Sequence, residues 1–563
     1  MTDQIKPITN IASMLDLPME HFEPYGHYAA KIGLDILETC KTRPQGKYVL
    51  VTAMTPTPFG EGKTTTAISL SQAFWKLNKR SAVALRQSSL GPTFGRKGGG
   101  SGGARASIAP LDRSILHLTG DMHAVSQAHN QIAAQTDNAW YHRDNPLNID
   151  PAQIQIRRVL DVNDRFLRNI TIGNGGKEHG IPRATGFDIT PASEVMAILA
   201  LLDGSSRAEV MHDLRTRLGR MVVAFDKDGK PVSAEDIKAA GAATAIMQDA
   251  VKPNLMQTIE NTPVFIHAGP FANIAHGCSS ILSDRIALAY SDVVVTEAGF
   301  GMDIGGEKFF DIKCRASKLR PDAVVVVATL RAMKAHAGRH VIKAGRGLPD
   351  EFIPENPELV REGGVNLIAQ VQNAVRFGLP VVVAINAFPG DFESEYQVVR
   401  DLAREAGAKD CVVSRGFVAG GDGAVDLARA VLDACDDQAE LKTLYDLGDS
   451  LTDKMQKIAR TMYGANGVKL DDTAKVQVER FEAAGFGELP VCIAKTPLSL
   501  SANPAIVGAP KDYDFPIRSL RISAGAGFVY ALAGNIMTMP GLGAEPAAFD
   551  VDIDENGNTT GIF

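Results

Sequence analysis

Cysteine is scarce in this chain. Six occur among 563 residues, at positions 40, 278, 314, 411, 435 and 492, and none forms a Cys-x-x-Cys pair. A disulfide-held scaffold is therefore excluded, and a reducing cytoplasm is the expected setting. Long apolar runs are missing too. Stretches such as Ala323 to Ala328 fall far short of the roughly 20 residues that a membrane-spanning helix needs, so no membrane partner is expected. There is no excess of basic charge: 58 Lys and Arg stand against 65 Asp and Glu, a net charge of -7. A broad nucleic-acid footprint is not expected from that balance. Met1 to Pro24 has no signal-peptide apolar core, and no internal repeat or long linker is visible.

What is present reads as a soluble enzyme. Hydrophobic residues make up 45% and charged residues 22%, enough to bury a large core and too apolar for extended disorder. The length suits two to four domains of roughly 150 residues. Lys47 to Met54 predicts a buried strand, Gly62 to Asn78 a helix with one apolar face, and Ser81 to Arg86 a second strand. That βαβ unit implies a parallel sheet. Further strands are predicted at Val264 to His267, Asp292 to Thr296, Ala323 to Ala328, Val381 to Ile385 and Cys411 to Ser414. A helix is predicted over Pro191 to Leu202, with Thr190 as its N-cap. A short hairpin turning at Asn556-Gly557 is predicted in the tail. The fold class is α/β: a P-loop-type, mostly parallel sheet core with additional smaller α/β domains. The expected division is 1–360, 361–445 and 446–563, with a Pro/Glu-rich seam at Gly347 to Glu362.

The strongest motif is Thr57-Pro58-Phe59-Gly60-Glu61-Gly62-Lys63-Thr64, which follows a strand and opens a helix. Glycines at 60 and 62 let the backbone turn tightly and aim N–H groups at phosphate oxygens. The helix N-terminus adds partial positive charge. Lys63 would reach the β- and γ-phosphates of ATP, and Thr64 would ligate Mg²⁺. Thr57 stands where the usual loop has its first glycine. A dinucleotide fingerprint would need glycine at Thr65. Arg86 ends the next strand, at the ligand-binding edge of a parallel sheet, and suits an anion clamp; a plain surface arginine is the competing reading. Phe388 and Phe417 lie just beyond two other strands and could stack on a flat heterocycle, core packing being the alternative. Gly99-x-Ser101-x-Gly103 matches a nucleophile elbow only formally, inside a glycine run better suited to a loop over phosphate or substrate. His336 and His340, four apart around Gly338, and the triple His117, His123 and His129 read as structural rather than metal-binding.

Taken together, these motifs resemble the formate–tetrahydrofolate ligase family. The residues that carry this include TPTPFGEGKTTT (55–66), GFDITPASEVMA (186–197), GPFANIAHGC (269–278), VTEAGFGMDIGGEKFFDIKCR (295–315) and SAGAGF (523–528). The likeness spans nearly the whole chain. It implies a cytoplasmic homotetramer that joins formate to tetrahydrofolate with ATP and Mg²⁺ through formyl phosphate, and it brings in a monovalent cation as a further cofactor. It implies that Lys63 and Arg86 are catalytic and that Phe388 and Phe417 hold the pterin. Departures gather on the acid and folate side. Gln87 replaces a Glu, Phe417 a Trp and Phe392 a Thr, and the Ala-rich glycine loop reads Gly99-Gly100-Ser101. Two other readings remain open on the sequence: a paralogue with the same acyl-phosphate chemistry on another acid or acceptor, or running toward ATP; and a nucleotide-binding regulator without turnover.

Overall fold

The computed structural model describes residues 5–95, 100–142, 144–340, 348–534 and 536–562. Seven strands form the parallel heart of a 12-stranded sheet. In chain order they are β1 (Lys47–Ala53), β2 (Ser81–Leu85), β3 (Pro263–Ile266), β4 (Val293–Glu297), β5 (Ala323–Ala328), β6 (Val381–Asn386) and β7 (Asp410–Ser414). Their order across the sheet is β3-β2-β4-β1-β5-β6-β7. Short antiparallel strands, among them Asn254–Thr258 and Ala30–Ile32, extend the β3 edge.

These strands form because both faces are buried, which near-continuous Val, Ile and Leu runs favour. In β5, Val324 and Val326 enter one core, while Val325 and Val327 enter the other. Side chains of successive strand residues point to opposite faces, so one valine run serves both layers. Helix α1 (Lys63–Lys76) covers one face with Ala67, Ile68, Leu70 and Phe74. Helix α2 (Leu330–His336) follows β5, and helix α3 (Pro357–Val375) covers the opposite face with Val360, Leu367 and Val371.

The βαβ unit is present, but β4 lies between its two strands. The loop after β1 is therefore flanked by the ends of β4 and β5. The helix predicted from Pro191 starts later: Thr190–Ala192 is a 3₁₀ turn and the α-helix runs from Glu194 to Leu201. Ser193 caps it, accepting from the Met196 N–H at 3.1 Å. Both Thr190 and Ser193 suit an N-cap by composition, and only packing selects between them. The tail hairpin pairs Asp552–Ile553 with Thr559–Thr560, and Gly557 takes φ 80° in its turn. Helix α3 runs through positions 357–375, and β6 and β7 continue the same sheet beyond it. The C-terminal part adds Leu451–Tyr463, a parallel pair (Gly467–Leu470 with Asp514–Ile517) and a three-stranded sheet.

Candidate active site

The phosphate loop turns at Gly60 (φ 75°) and Gly62 (φ 74°). A side chain at 62 would be strained by that φ, and its Cβ would come 2.2 Å from Asn386 Nδ2. Thr57 is not in a left-handed conformation, which removes the need for glycine there. Its side chain instead braces the turn. The Phe59 N–H donates to Thr57 Oγ1 at 3.3 Å, and the Thr57 N–H donates to Glu61 Oε1 at 2.6 Å. From the end of β6, Asn386 Nδ2 donates to the Glu61 carbonyl at 3.1 Å. Glu61 is buried, which pushes its carboxyl upward, while the neighbouring Lys63 pulls it back. Burial lowers the Lys63 ammonium, and the Glu61 and Glu297 charges oppose that shift.

Glu297 ends β4 beside the loop. Thr64 Oγ1 donates to Glu297 Oε2 at 2.7 Å, and the Arg86 guanidinium lies 3.7 Å from Glu297 Oε1. Arg86 is one residue past β2 and partly buried, so it is not a plain surface arginine. Its Nη1 also donates to the Pro270 carbonyl at 3.4 Å. Arg86, Gln87 and Glu297 line a cavity of about 270 Å³ together with Ser89, Phe300 and, from the far end of the chain, Met537 and Pro540. That end is tied in place: the Ile189 N–H donates to the Thr538 carbonyl at 2.8 Å, and Thr538 Oγ1 donates to Asp188 at 2.5 Å. Phe300 holds φ 62°, an outlier for an aromatic residue and a mark of a tightly determined site.

The two aromatic candidates sit elsewhere on the same carboxyl edge. Phe388 follows β6, and the Arg331 guanidinium stacks 3.9 Å from its ring centroid. Phe417 follows β7 in the short helix Gly416–Ala419 and is 41% exposed. A Cβ on Gly103 would lie 3.1 Å from the Phe417 ring. Phe392 is the N-cap of the helix Glu393–Glu405. The Arg86 cavity includes neither Phe388, Phe417 nor Lys63 among its lining residues.

Comparison with known proteins shows which family the chain belongs to. The family model described as formate–tetrahydrofolate ligase matches residues 1–563. A protein of that name from Herpetosiphon aurantiacus is 60% identical over 558 residues, covering 99% of this chain and 98% of that protein. One from Chloroflexus aurantiacus is 58% identical over 562 residues, covering 100% of this chain and 98% of its own length. A third, from Saccharopolyspora erythraea, is 53% identical over 558 residues, covering 99% and 97%. This chain belongs to the formate–tetrahydrofolate ligase family.

For a member of this ligase family, the sequence reading left out Glu297. An acidic residue closing an apolar strand next to the phosphate-loop strand is the signal that could have found it, since such residues serve phosphoryl-transfer sites. It also left out Asp161, which accepts from Ser89 Oγ at 2.5 Å and the Leu90 N–H at 3.1 Å and so shapes the cavity wall. No local pattern marks Asp161. His336 is structural: it is buried and bonded through Nε2 to the Thr55 carbonyl at 2.9 Å. His129 likewise bonds the Arg157 carbonyl at 2.8 Å. Gly99 of the formal nucleophile elbow lies outside the described residues.

Proposed function

We propose that this protein ligates formate to tetrahydrofolate at the expense of ATP, giving 10-formyltetrahydrofolate, ADP and phosphate. The observation that carries the reading is the meeting of Thr64, Glu297 and Arg86 between the phosphate loop and the cavity. Residues 57–64 form the phosphate loop: the N–H groups of Thr57, Phe59 and Gly60 brace its turn, those from Glu61 onward bind the nucleotide phosphates, and Lys63 balances charge on the transferring phosphoryl group. Arg86 grips the formate carboxylate with its planar fork. A formate oxygen attacks the γ-phosphorus and ADP leaves, giving formyl phosphate. N10 of tetrahydrofolate then attacks the formyl carbon, and inorganic phosphate leaves. Phe388 and Phe417 hold the pterin by stacking.

Thr64 and Glu297 offer the oxygen donors that a hard cation prefers, so they fit Mg²⁺, which supplies charge neutralisation to the nucleotide. A monovalent cation completes the proposed cofactors. We place the enzyme in the cytoplasm as a homotetramer. Phe166 at 85% exposure and Phe549 at 73% offer apolar surface that an assembly would cover. No helix among the described residues is long and apolar enough to cross a membrane. The test is direct: purified protein with ATP, Mg²⁺, formate and tetrahydrofolate should yield 10-formyltetrahydrofolate and ADP in equal amounts. ADP release without formyl transfer, or no reaction at all, would refute the proposal. Sedimentation of the same preparation tests the tetramer.

A further inference from the structure

A buried polar relay lies behind the phosphate loop and touches neither the loop's outer face nor the cavity. Its centre is Thr55, two residues past β1. Asn366 and Gln370, one turn apart on α3, both reach it. Asn366 Oδ1 accepts from the Thr55 N–H at 3.0 Å, and Asn366 Nδ2 donates to Thr55 Oγ1 at 2.8 Å. Gln370 Nε2 donates to the same Oγ1 at 2.9 Å and to Asp303 Oδ1 at 2.6 Å. Gln370 Oε1 accepts from the Asp303 N–H at 3.0 Å. Asp303 Oδ2 lies 2.7 Å from Lys495 Nζ, an ion pair that reaches into the C-terminal part. His336 closes the ring from α2. Its Nδ1 accepts from the Gly508 N–H at 3.3 Å, which leaves the proton on Nε2 to donate to the Thr55 carbonyl.

The backbone N–H, carbonyl and hydroxyl oxygen of Thr55 are thus all engaged, by side chains from two helices. Thr55, Asn366, Gln370, Asp303 and Lys495 are all fully buried. Buried hydrogen-bond networks of this kind rigidify what they touch. What they touch is two chain segments that must stay in register. Thr55 leads into Thr57 and the phosphate loop. Asp303 follows Glu297, Phe300 and Gly301, the segment that carries the partner of Thr64. A Cβ on Gly301 would come 2.6 Å from Asp303 Oδ1, so the backbone there is pressed against the relay.

We infer that Thr55 and Gln370 are positioning residues that hold the phosphate loop and the Glu297 segment at the spacing phosphoryl transfer needs. Gln370 is the one side chain of the relay that bonds to both segments. Misplacement of reacting groups by about 1 Å can cost on the order of a hundredfold in rate, so the relay acts on turnover. This inference rests on the reading that residues 57–64 hold the nucleotide phosphates.

The test compares Thr55→Val with Thr55→Ser, and adds Gln370→Met, using the full-length enzyme. Valine keeps the volume and removes the acceptor; serine keeps the acceptor. Thr55→Val should lower kcat at least about tenfold and raise the KM for ATP, leaving the KM for tetrahydrofolate unchanged, and Thr55→Ser should stay within about twofold of the parent. Gln370→Met should reproduce the kcat loss and so decides the matter if Thr55→Val does not fold. In a Thr64→Val background the Gln370→Met loss should shrink, because both act through the Thr64–Glu297 contact. A folded Thr55→Val or Gln370→Met enzyme with parental kcat overturns the inference. So does a loss that raises the KM of all three substrates alike with a fall in melting temperature, which marks general loosening. Lys63→Ala is the control: if it stays active, the phosphate-loop reading fails; if it is inactive while the relay variants are normal, only the relay fails.

Discussion

The centre of the carboxyl edge and its β6–β7 end are built differently. Between β4 and β5, the phosphate loop is surrounded by buried charges and braced from behind by hydrogen bonds to Thr55, Thr57 and the Glu61 carbonyl. Beyond β6 and β7 the surface is more open: Phe417 is 41% exposed, Val418 53% and Phe392 36%, while Phe388 is half-buried against Arg331. In the proposed reaction the first would fix the geometry of phosphoryl transfer, which tolerates little displacement. The second would offer rings to the pterin, and stacking tolerates change in ring type. The departures from the family pattern at Phe392 and Phe417 fall at this more tolerant end. Gln87 and the Gly99-Gly100-Ser101 loop are exceptions: Gly100 lines the Arg86 cavity, as does Gln87, whose buried side-chain oxygen has no hydrogen-bond partner among the described residues.

Substitutions should divide along that line. The largest effect belongs to Lys63→Ala, expected to lower kcat about a hundredfold or more while the protein stays folded, since charge stabilisation of this kind is worth that much. Parental turnover in a folded Lys63→Ala enzyme would remove the distinction between the two regions. Arg86→Lys comes next. Lysine keeps the charge and loses the fork, so the KM for formate should rise and kcat fall by about tenfold. Unchanged formate kinetics would leave Arg86 only as a partner of Glu297.

Glu61→Gln sharpens the contrast through pH. The amide oxygen can still accept from Thr57, but the negative charge that holds the Lys63 ammonium up against burial is gone. The Lys63 proton should then leave at lower pH, so the alkaline limb of the kcat/KM profile for ATP should move to lower pH. The same profile of a Phe417 variant should not move. A Glu61→Gln limb that stays in place would show that the two charges are not coupled in the working enzyme.

The smallest effect is expected at the open end. A larger ring at Phe417→Trp should tighten tetrahydrofolate binding several-fold, in line with stacking contacts worth about 0.5–1.5 kcal/mol. Titration of tetrahydrofolate with ATP affinity as reference checks this. Weaker folate binding with normal ATP affinity would mean that the ring's contact with Gly103 leaves no room for the indole.

Much of the nucleotide region was legible because it is local. Strand, glycine turn, Lys-Thr and helix occur within one stretch, and each residue type has a short-range physical reason. The resemblance to the ligase family was legible for the same reason, repeated in motif after motif. The pairings made by Glu297, Asp161 and Gln370 were not, because nothing within a few positions of these residues points to their partners. Thr64 and Glu297 are 233 residues apart, and Thr55 and Gln370 are 315 apart. The helix start at Ser193 rather than Pro191 is a smaller case, where two good caps compete and tertiary contacts choose.

By itself the sequence determined that this is an α/β protein with parallel buried strands, a phosphate loop at a helix start and a family likeness along its length. Periodicity, turn chemistry and short motifs are properties of neighbouring residues, so they survive without coordinates. Only the tertiary structure decided that β4 lies between β1 and β2. That insertion places the Glu297 carboxylate beside Thr64 and within reach of Arg86, while the bonds from Ile189 and Asp188 to Thr538 bring Met537 and Pro540 to the same cavity. Strand order follows from how whole faces pack and which crossovers fit, and those are sums over distant residues that no local pattern encodes.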